Sequence, residues 1–273
     1  MSALDLIDRW PGAHHAAAWR RSDGTAEQRG DPHHVFSLAS VTKLLTATAV
    51  LVAVQEEIVV LDEPAGPPGS TVRLLLAHAS GLPFDGTTPI AAPGQRRVYG
   101  NPAFEAVGAL VADRAAMPFE AYLHEAVCAP LGMTSTTLRG SPAYGARSTL
   151  TDLLAFTAEL QAPGRVLAPE LLAEATTPQL PDLAGVLPGY GRQAPNPWGL
   201  GFELHGHKTP HWMPAEAGPG AFGHFGQRGS FLWVDPAAGV ACVALSDEPF
   251  GPWALDAWPL FGAAVLRSAA EAQ

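Results

Sequence analysis

The sequence has little cysteine, little positive charge and no long apolar run, and each shortage excludes something. Its two cysteines, Cys128 and Cys242, lie far apart in apolar segments. They are too few for a structural zinc site of their own and read as buried thiols. Lysine and arginine total 16 against 26 acidic residues, a net charge of −10 with no basic cluster, which argues against nucleic acid and anionic membranes as partners. The longest apolar stretch, 44–54, is bounded by Lys43 and by Gln55-Glu56-Glu57 and falls short of the ~20 residues that a membrane-spanning helix needs. The opening MSALDLIDRW carries acidic residues and lacks the basic-then-apolar order of an export signal, so the expected location is the cytoplasm. No Gly-x-Ser-x-Gly occurs, which removes the α/β-hydrolase elbow. There are no internal repeats or disordered tracts.

What is present is a globular composition. With 273 residues and 47% hydrophobic content, the chain can bury a large core as one big domain or two coupled lobes. Residues 4–10 read as a short amphipathic helix stopped at Pro11-Gly12, and 14–20 with 25–29 as a hairpin around Ser22-Asp23-Gly24. The stretch 35–55 holds a central helix of about sixteen residues. Its β-branched content favours a strand, but its length decides for a helix buried on nearly every side. A linker follows at 62–69, then a helix capped by Ser70 and running to about 77, a loop over 85–98, and helices over 102–115, 117–128, 149–160 and 169–175, so that 62–194 reads as all-helical. The pattern then changes. Strands are expected over 199–204, 229–234 and 240–245, with another around His224, and a closing helix over 253–270 kinked or restarted at Pro259. The expected fold class is α/β in the α+β sense: an antiparallel sheet lobe from 1–61 and 195–273, flanked by terminal helices, with a helical lobe, 62–194, inserted.

Ser40-Val41-Thr42-Lys43 carries the first chemical signal. A helix start is electropositive, so a lysine three residues in stands against the dipole, and apolar surroundings add desolvation; both favour the neutral amine. Residues at i and i+3 share a helix face, which lets the Lys43 amine take the proton of the Ser40 hydroxyl and makes Ser40 a candidate nucleophile. Backbone N–H groups at the helix start are at hand for the oxyanion. The plainer alternative is a serine N-cap followed by a snorkelling lysine. Tyr99-Gly100-Asn101 offers a second proton carrier and an amide to hold a substrate carbonyl, or, more simply, an N-cap before Pro102. Gly223-His224-Phe225-Gly226-Gln227-Arg228-Gly229 reads as a strand whose glycines allow close approach.

In order and spacing, Ser40-Val41-Thr42-Lys43, Tyr99-Gly100-Asn101 and His224-Phe225-Gly226 resemble the serine β-lactamase and penicillin-binding-protein superfamily, in the branch of class C β-lactamases, D-alanyl-D-alanine carboxypeptidases and related esterases. Supporting segments are Leu61-Asp62-Glu63-Pro64, 74–83, Pro130-Leu131-Gly132-Met133, Trp198-Gly199-Leu200-Gly201 and 230–236. The resemblance spans roughly 35–250. It implies a β-lactamase/transpeptidase-like fold with the site in a cleft between two lobes, and a serine hydrolase acting through an acyl-enzyme on Ser40. Lys43 would be the base and Tyr99 the proton relay. Asn101 would touch the substrate, His224 would replace the lysine that β-lactamases place on the strand, and Arg228 would compensate in part for that lysine's charge. Gly226 closes the strand motif, and the oxyanion hole would be the N–H groups of Ser40 and Gln227.

The histidine in place of lysine, the absent export signal and the short chain favour an esterase or small-amide hydrolase with weak β-lactam hydrolysis as a side activity. The alternatives are a β-lactamase or D-Ala-D-Ala carboxypeptidase, and a non-catalytic penicillin-binding sensor that acylates without turnover. The expected partner is a small-molecule ester, amide or β-lactam. His205-Gly206-His207 with His211 raises a zinc alternative, but no Cys or Glu-x-x-His pattern completes it. These histidines therefore read as surface residues in a loop, and no metal or cofactor is expected. Lys208-Thr209-Pro210 resembles Lys-Thr-Gly only superficially, because proline stands where a close-approach glycine is required.

Overall fold

A six-stranded antiparallel sheet forms the centre of the computed structural model, which describes residues 2–272. Its strands are β1 (His15–Arg21), β2 (Ala26–Gly30), β3 (Glu203–Leu204), β4 (Phe222–Gly226), β5 (Ser230–Asp235) and β6 (Val240–Ser246). Their order across the sheet is β2-β1-β6-β5-β4-β3. The N-terminal hairpin is thus joined to the last strand, with Trp19 opposite Cys242, and both ends of the chain build one sheet.

Successive side chains on a strand point to opposite faces, and here both faces are covered. Ala16, Ala18, Leu232, Val234, Ala241, Val243 and Leu245 face a core shared with the central helix α1 (Thr42–Gln55). Ala17, Trp19, Phe231, Trp233, Cys242 and Ala244 face a second core, closed by the 3-10 helix Ala3–Arg9 and the C-terminal helix Pro252–Glu271. A strand buried on both sides reads as a continuous apolar run, as β6 does. Every residue of α1 from Thr42 to Ala53 is buried, because the sheet lies on one side of the helix and helix α2 (Pro102–Ala115) with its neighbours on the other. Cys128 and Cys242 are free buried thiols. No helix among the described residues is long and apolar enough to cross a membrane.

The structure departs from the periodicity reading in several places. The middle of the chain is mostly helical but also carries short strands. Ala146–Ser148 pairs with Phe36–Ser37 on one side and with Thr137–Leu138 on the other, and Gly185–Leu187 pairs with Gly191–Gln193. Strands of two or three residues are too short to show an alternation. The helix after the linker is Val72–Leu76, and its cap is Thr71, whose hydroxyl accepts the Leu74 N–H at 3.3 Å, not Ser70. The C-terminal helix runs unbroken through Pro259. Pro259 is only half-buried and Leu255, whose carbonyl loses its partner, is exposed, so water can solvate that carbonyl. Strand β3 covers only the end of the expected 199–204, because Gly201 takes φ 87°, a conformation that breaks an extended run.

Candidate active site

Ser40 lies in a 3-10 turn, Ala39–Val41, immediately before α1. It is not the N-cap of α1, and Val41, which is, makes no side-chain capping bond. Ala39 holds φ 44°, a left-handed conformation that costs an alanine free energy and that surrounding contacts must maintain. Those contacts come from the end of β4 and the start of β5. Ser230 Oγ donates to Leu38 O at 2.8 Å, and a Cβ on Gly226 would collide with that same Leu38 oxygen. Glycine at 226 is what lets β4 lie against the serine turn.

Three groups converge on Ser40. Lys43 Nζ stands 3.2 Å from its Oγ, and the Tyr99 hydroxyl donates to that oxygen at 2.8 Å. Lys43 Nζ also donates to Asn101 Oδ1 at 2.9 Å and to the Ala143 carbonyl at 3.0 Å. The last two partners can only accept. A neutral amine has two N–H groups, which those acceptors occupy, so its lone pair is left for the Ser40 proton. The Lys43 side chain is fully buried, and burial lowers its pKa to about 7 against the opposing pull of Glu105 and Asp85. Tyr99 is pushed well above the ordinary phenol range, chiefly by burial, and stays protonated.

The supports of these groups are local. Thr46 Oγ1 donates to Pro142 O at 2.6 Å and Thr42 Oγ1 accepts the Ala146 N–H at 3.0 Å, which fixes the segment carrying the Ala143 carbonyl on α1. His78, with φ 54°, accepts the Gly100 N–H on Nδ1 at 3.3 Å, and its ring lies 4.6 Å from that of Tyr99. A Cβ at Gly100 would strike Pro83 O, which is why a small residue separates Tyr99 from Asn101. Asn101 stands at the start of α2 but makes no capping bond; its Nδ2 donates to Asp85 Oδ1 at 3.2 Å.

His224 lies on β4 beside these groups, its ring 5.7 Å from those of Tyr99 and Trp198. Its Nδ1 is 2.6 Å from the Phe225 carbonyl, an acceptor only, so Nδ1 carries the proton. Burial, with the nearby Lys43, lowers its pKa to about 3. The group at the lysine position of the strand motif is therefore uncharged. Ser40, Tyr99, Asn101, His224, Gln227 and Arg228 all line one cavity of about 280 Å³, walled mainly by apolar groups including Phe84, Leu187, Trp198 and Phe225. Among the described residues neither the Ser40 nor the Gln227 N–H is held in a turn or loop hydrogen bond. Arg228 is exposed at the cavity edge and has no carboxylate within ion-pair distance among those residues.

The histidines read as surface residues require a correction. His205 and His211 are buried; only His207 is exposed. Glu203, whose side chain reaches the cavity wall, is fully buried, and its Oε1 accepts from Lys208 Nζ at 2.6 Å and from His211 Nε2 at 2.8 Å. Trp212 Nε1 donates to Oε2 at 2.9 Å. Burial disfavours the carboxylate, but Lys208 and His211 outweigh it and hold Glu203 below the ordinary carboxylate range. The His211 Nδ1 accepts the Met213 N–H at 3.0 Å, and burial lowers that histidine to about 4 despite Glu203. The cluster is thus a closed ion pair with a neutral histidine. Among the described residues no group of three or more His, Cys, Asp or Glu side chains is placed to hold a metal ion. The chain has only two lysines, Lys43 and Lys208, and both are buried, although lysine is among the residues least often buried.

The model of the family described as β-lactamase matches residues 11–265. The chain belongs to the β-lactamase family. Its fold superposes on a β-lactamase from Mycobacterium bovis with a TM-score of 0.96 at 49% identity, covering 98% of this chain and 99% of the other. Simvastatin synthase from Aspergillus terreus shares the fold at 18% identity, with a TM-score of 0.83 over 97% of this chain and 96% of that one. Among curated proteins, the D-alanyl-D-alanine-carboxypeptidase/endopeptidase AmpH of Escherichia coli K12 is 27% identical over 145 residues, 40% of this chain. The match spans only 38% of the length of that relative. The β-lactamase family fold is thus common to proteins whose names give different reactions.

Proposed function

We propose that the chain is a serine hydrolase that cleaves uncharged esters, and more slowly small amides, through an acyl-enzyme on Ser40. The observation that carries this reading is the amine of Lys43, buried, drawn down to about 7, and left with one unsatisfied lone pair 3.2 Å from the Ser40 oxygen. At neutral pH a substantial fraction of Lys43 is a base. It takes the Ser40 proton as the oxygen attacks the acyl carbon. The oxyanion is met by the N–H groups of Ser40 and Gln227. Tyr99 then gives its proton to the leaving oxygen, and its phenolate is stabilised by the newly charged Lys43, whose Nζ lies 4.9 Å from the ring centroid. Water attacks the ester on Ser40, Tyr99 recovers a proton from it, and the Lys43 proton returns to the Ser40 oxygen as the acid leaves. Asn101 holds Lys43 in place and presents its amide to the substrate.

The choice of ester over a carboxylate-bearing β-lactam rests on His224. A neutral ring that donates to its own strand offers a substrate carboxylate no positive charge, and the exposed Arg228 at the rim is a weaker substitute in a screened setting. Intact-mass spectrometry of protein mixed with p-nitrophenyl acetate and quenched in acid tests the reading. A transient increase by one acetyl group, localised to the Ser40 peptide and followed by steady turnover, is the expected result. An unmodified Ser40 during turnover contradicts it, and a single stoichiometric burst with no turnover makes the protein a sensor.

A further inference from the structure

The 280 Å³ cavity shares part of its wall with another. Phe84, Tyr99 and Pro188 also line a second hollow of about 520 Å³, whose far side is formed by Ile90 and Val186. With Phe84, Tyr99 and Pro188 common to both linings, the two spaces adjoin on the Tyr99 side of Ser40 and together make up a groove. Its apolar walls stand in water: Phe84 is 50% exposed, Ile90 55% and Val186 60%. With Tyr144 they make four of the nine large apolar side chains that are exposed in the described residues, and all four line one of these two hollows. Scattered single exposures are ordinary, but a cluster on the walls of one groove marks a binding surface.

The walls are also held in place. Ile90 donates its N–H to Gly81 O at 2.9 Å, and its carbonyl accepts from Arg96 Nη2 at 3.1 Å. Val186 sits on the hairpin Gly185–Leu187 and Gly191–Gln193, paired with Arg192. Arg97 ties the two walls together. Its backbone bridges Gly185, and its buried guanidinium donates to the carbonyls of Ala77, Gln179, Leu180 and Asn196. A groove built this way exists before a ligand arrives, as binding clefts usually do.

Resting on the hydrolase reading above, we propose that this groove binds an unbranched aliphatic chain carried by the ester substrate, so that the preferred substrates are medium- to long-chain esters. The hollow is lined by the apolar Phe84, Ile90, Pro188 and Val186, together with the exposed Arg96 and Arg192 and the buried Arg97, whose guanidinium donates to four carbonyls. An aliphatic chain needs no hydrogen bond from it. The chain can come from the acid or the alcohol side of the ester, and two series separate these: p-nitrophenyl esters from acetate to decanoate, and alkyl acetates from methyl to decyl.

Full burial of one methylene is worth up to about fourfold in affinity, from ~0.8 kcal/mol per CH₂, and a half-open groove gives part of that per carbon. The expected result is a rise of kcat/KM of at least about tenfold from the two-carbon to the eight-carbon member of one series. In the Ile90→Ser/Val186→Ser double variant, the ratio of long-chain to short-chain kcat/KM, measured within one preparation, falls by more than half. Both positions are exposed, and the ratio cancels any loss of active protein. Calorimetric titration of the Ser40→Ala variant with the same esters reads the binding directly. Equal kcat/KM across both series, with binding to Ser40→Ala independent of length, overturns the groove assignment while leaving short-ester hydrolysis as it stands. Length-dependent binding to Ser40→Ala without turnover of any ester by the unaltered protein sustains the groove and overturns the hydrolase reading instead.

Discussion

Replacing Ser40 with alanine lowers kcat/KM for p-nitrophenyl acetate by at least about 10⁴-fold, or ~5.5 kcal/mol of transition-state stabilisation. The size follows from losing covalent catalysis altogether, since no other hydroxyl stands between Lys43 and Tyr99. What remains is the hydrolysis that an oxyanion site can assist by itself. Thermal stability changes little. Ser40 caps no helix, is half-buried, and leaves Lys43 with the Asn101 and Ala143 acceptors. Activity lost together with the folded state would mean that Ser40 is a structural residue; near-normal turnover would remove it from the chemistry.

Replacing Lys208 with methionine destabilises the protein by about 3–5 kcal/mol, the usual cost of stranding one member of a buried pair. That corresponds to a fall in Tm of roughly 5–10 °C for a chain of this size. The effect is large because Glu203 stays buried next to Trp212 and a neutral His211, with no cation left to balance it. Adding Glu203→Gln removes the stranded charge, so the double variant recovers more than half of the loss. Calorimetric unfolding of the two single variants and the double variant forms a cycle whose coupling energy is at least about 2 kcal/mol. Additive losses would show that the pair is not coupled.

The two clusters differ in how far the sequence alone reveals them. Ser40 with Lys43 is visible because both stand within one helical turn, and because a lysine at an electropositive, apolar helix start asks for an explanation. Tyr99, Asn101 and His224 become visible only through their order along the chain. The plain readings are a cap for Asn101 and a lone strand histidine for His224, and the structure places Tyr99 on Ser40, Asn101 on Lys43 and His224 beside Tyr99. The Ala143 carbonyl was hidden because a main-chain oxygen leaves no mark in a sequence, and Asp85 because it lies in a loop without periodicity. Glu203, Lys208, His211 and Trp212 sit within ten residues of one another, yet their closure depends on a loop path that no helix or strand period describes. A lysine and a glutamate five residues apart in an apolar setting were the available signal. The absence of any third lysine in the chain was another.

The central claim is that Lys43 is an uncharged base when Ser40 attacks. The measurement that tests it is the pH dependence of kcat/KM for a neutral ester, which reports the free enzyme. Only the neutral amine can accept the proton, so the rate rises with pH and levels off above the Lys43 pKa. His224 and Tyr99 lie outside the window: burial draws His224 down to about 3 and raises Tyr99 above its ordinary range. The account predicts one ionisation at about 7, from the depressed lysine. A profile flat from about pH 5 to 8, or one still rising through the ordinary lysine range near 10.4, would contradict it.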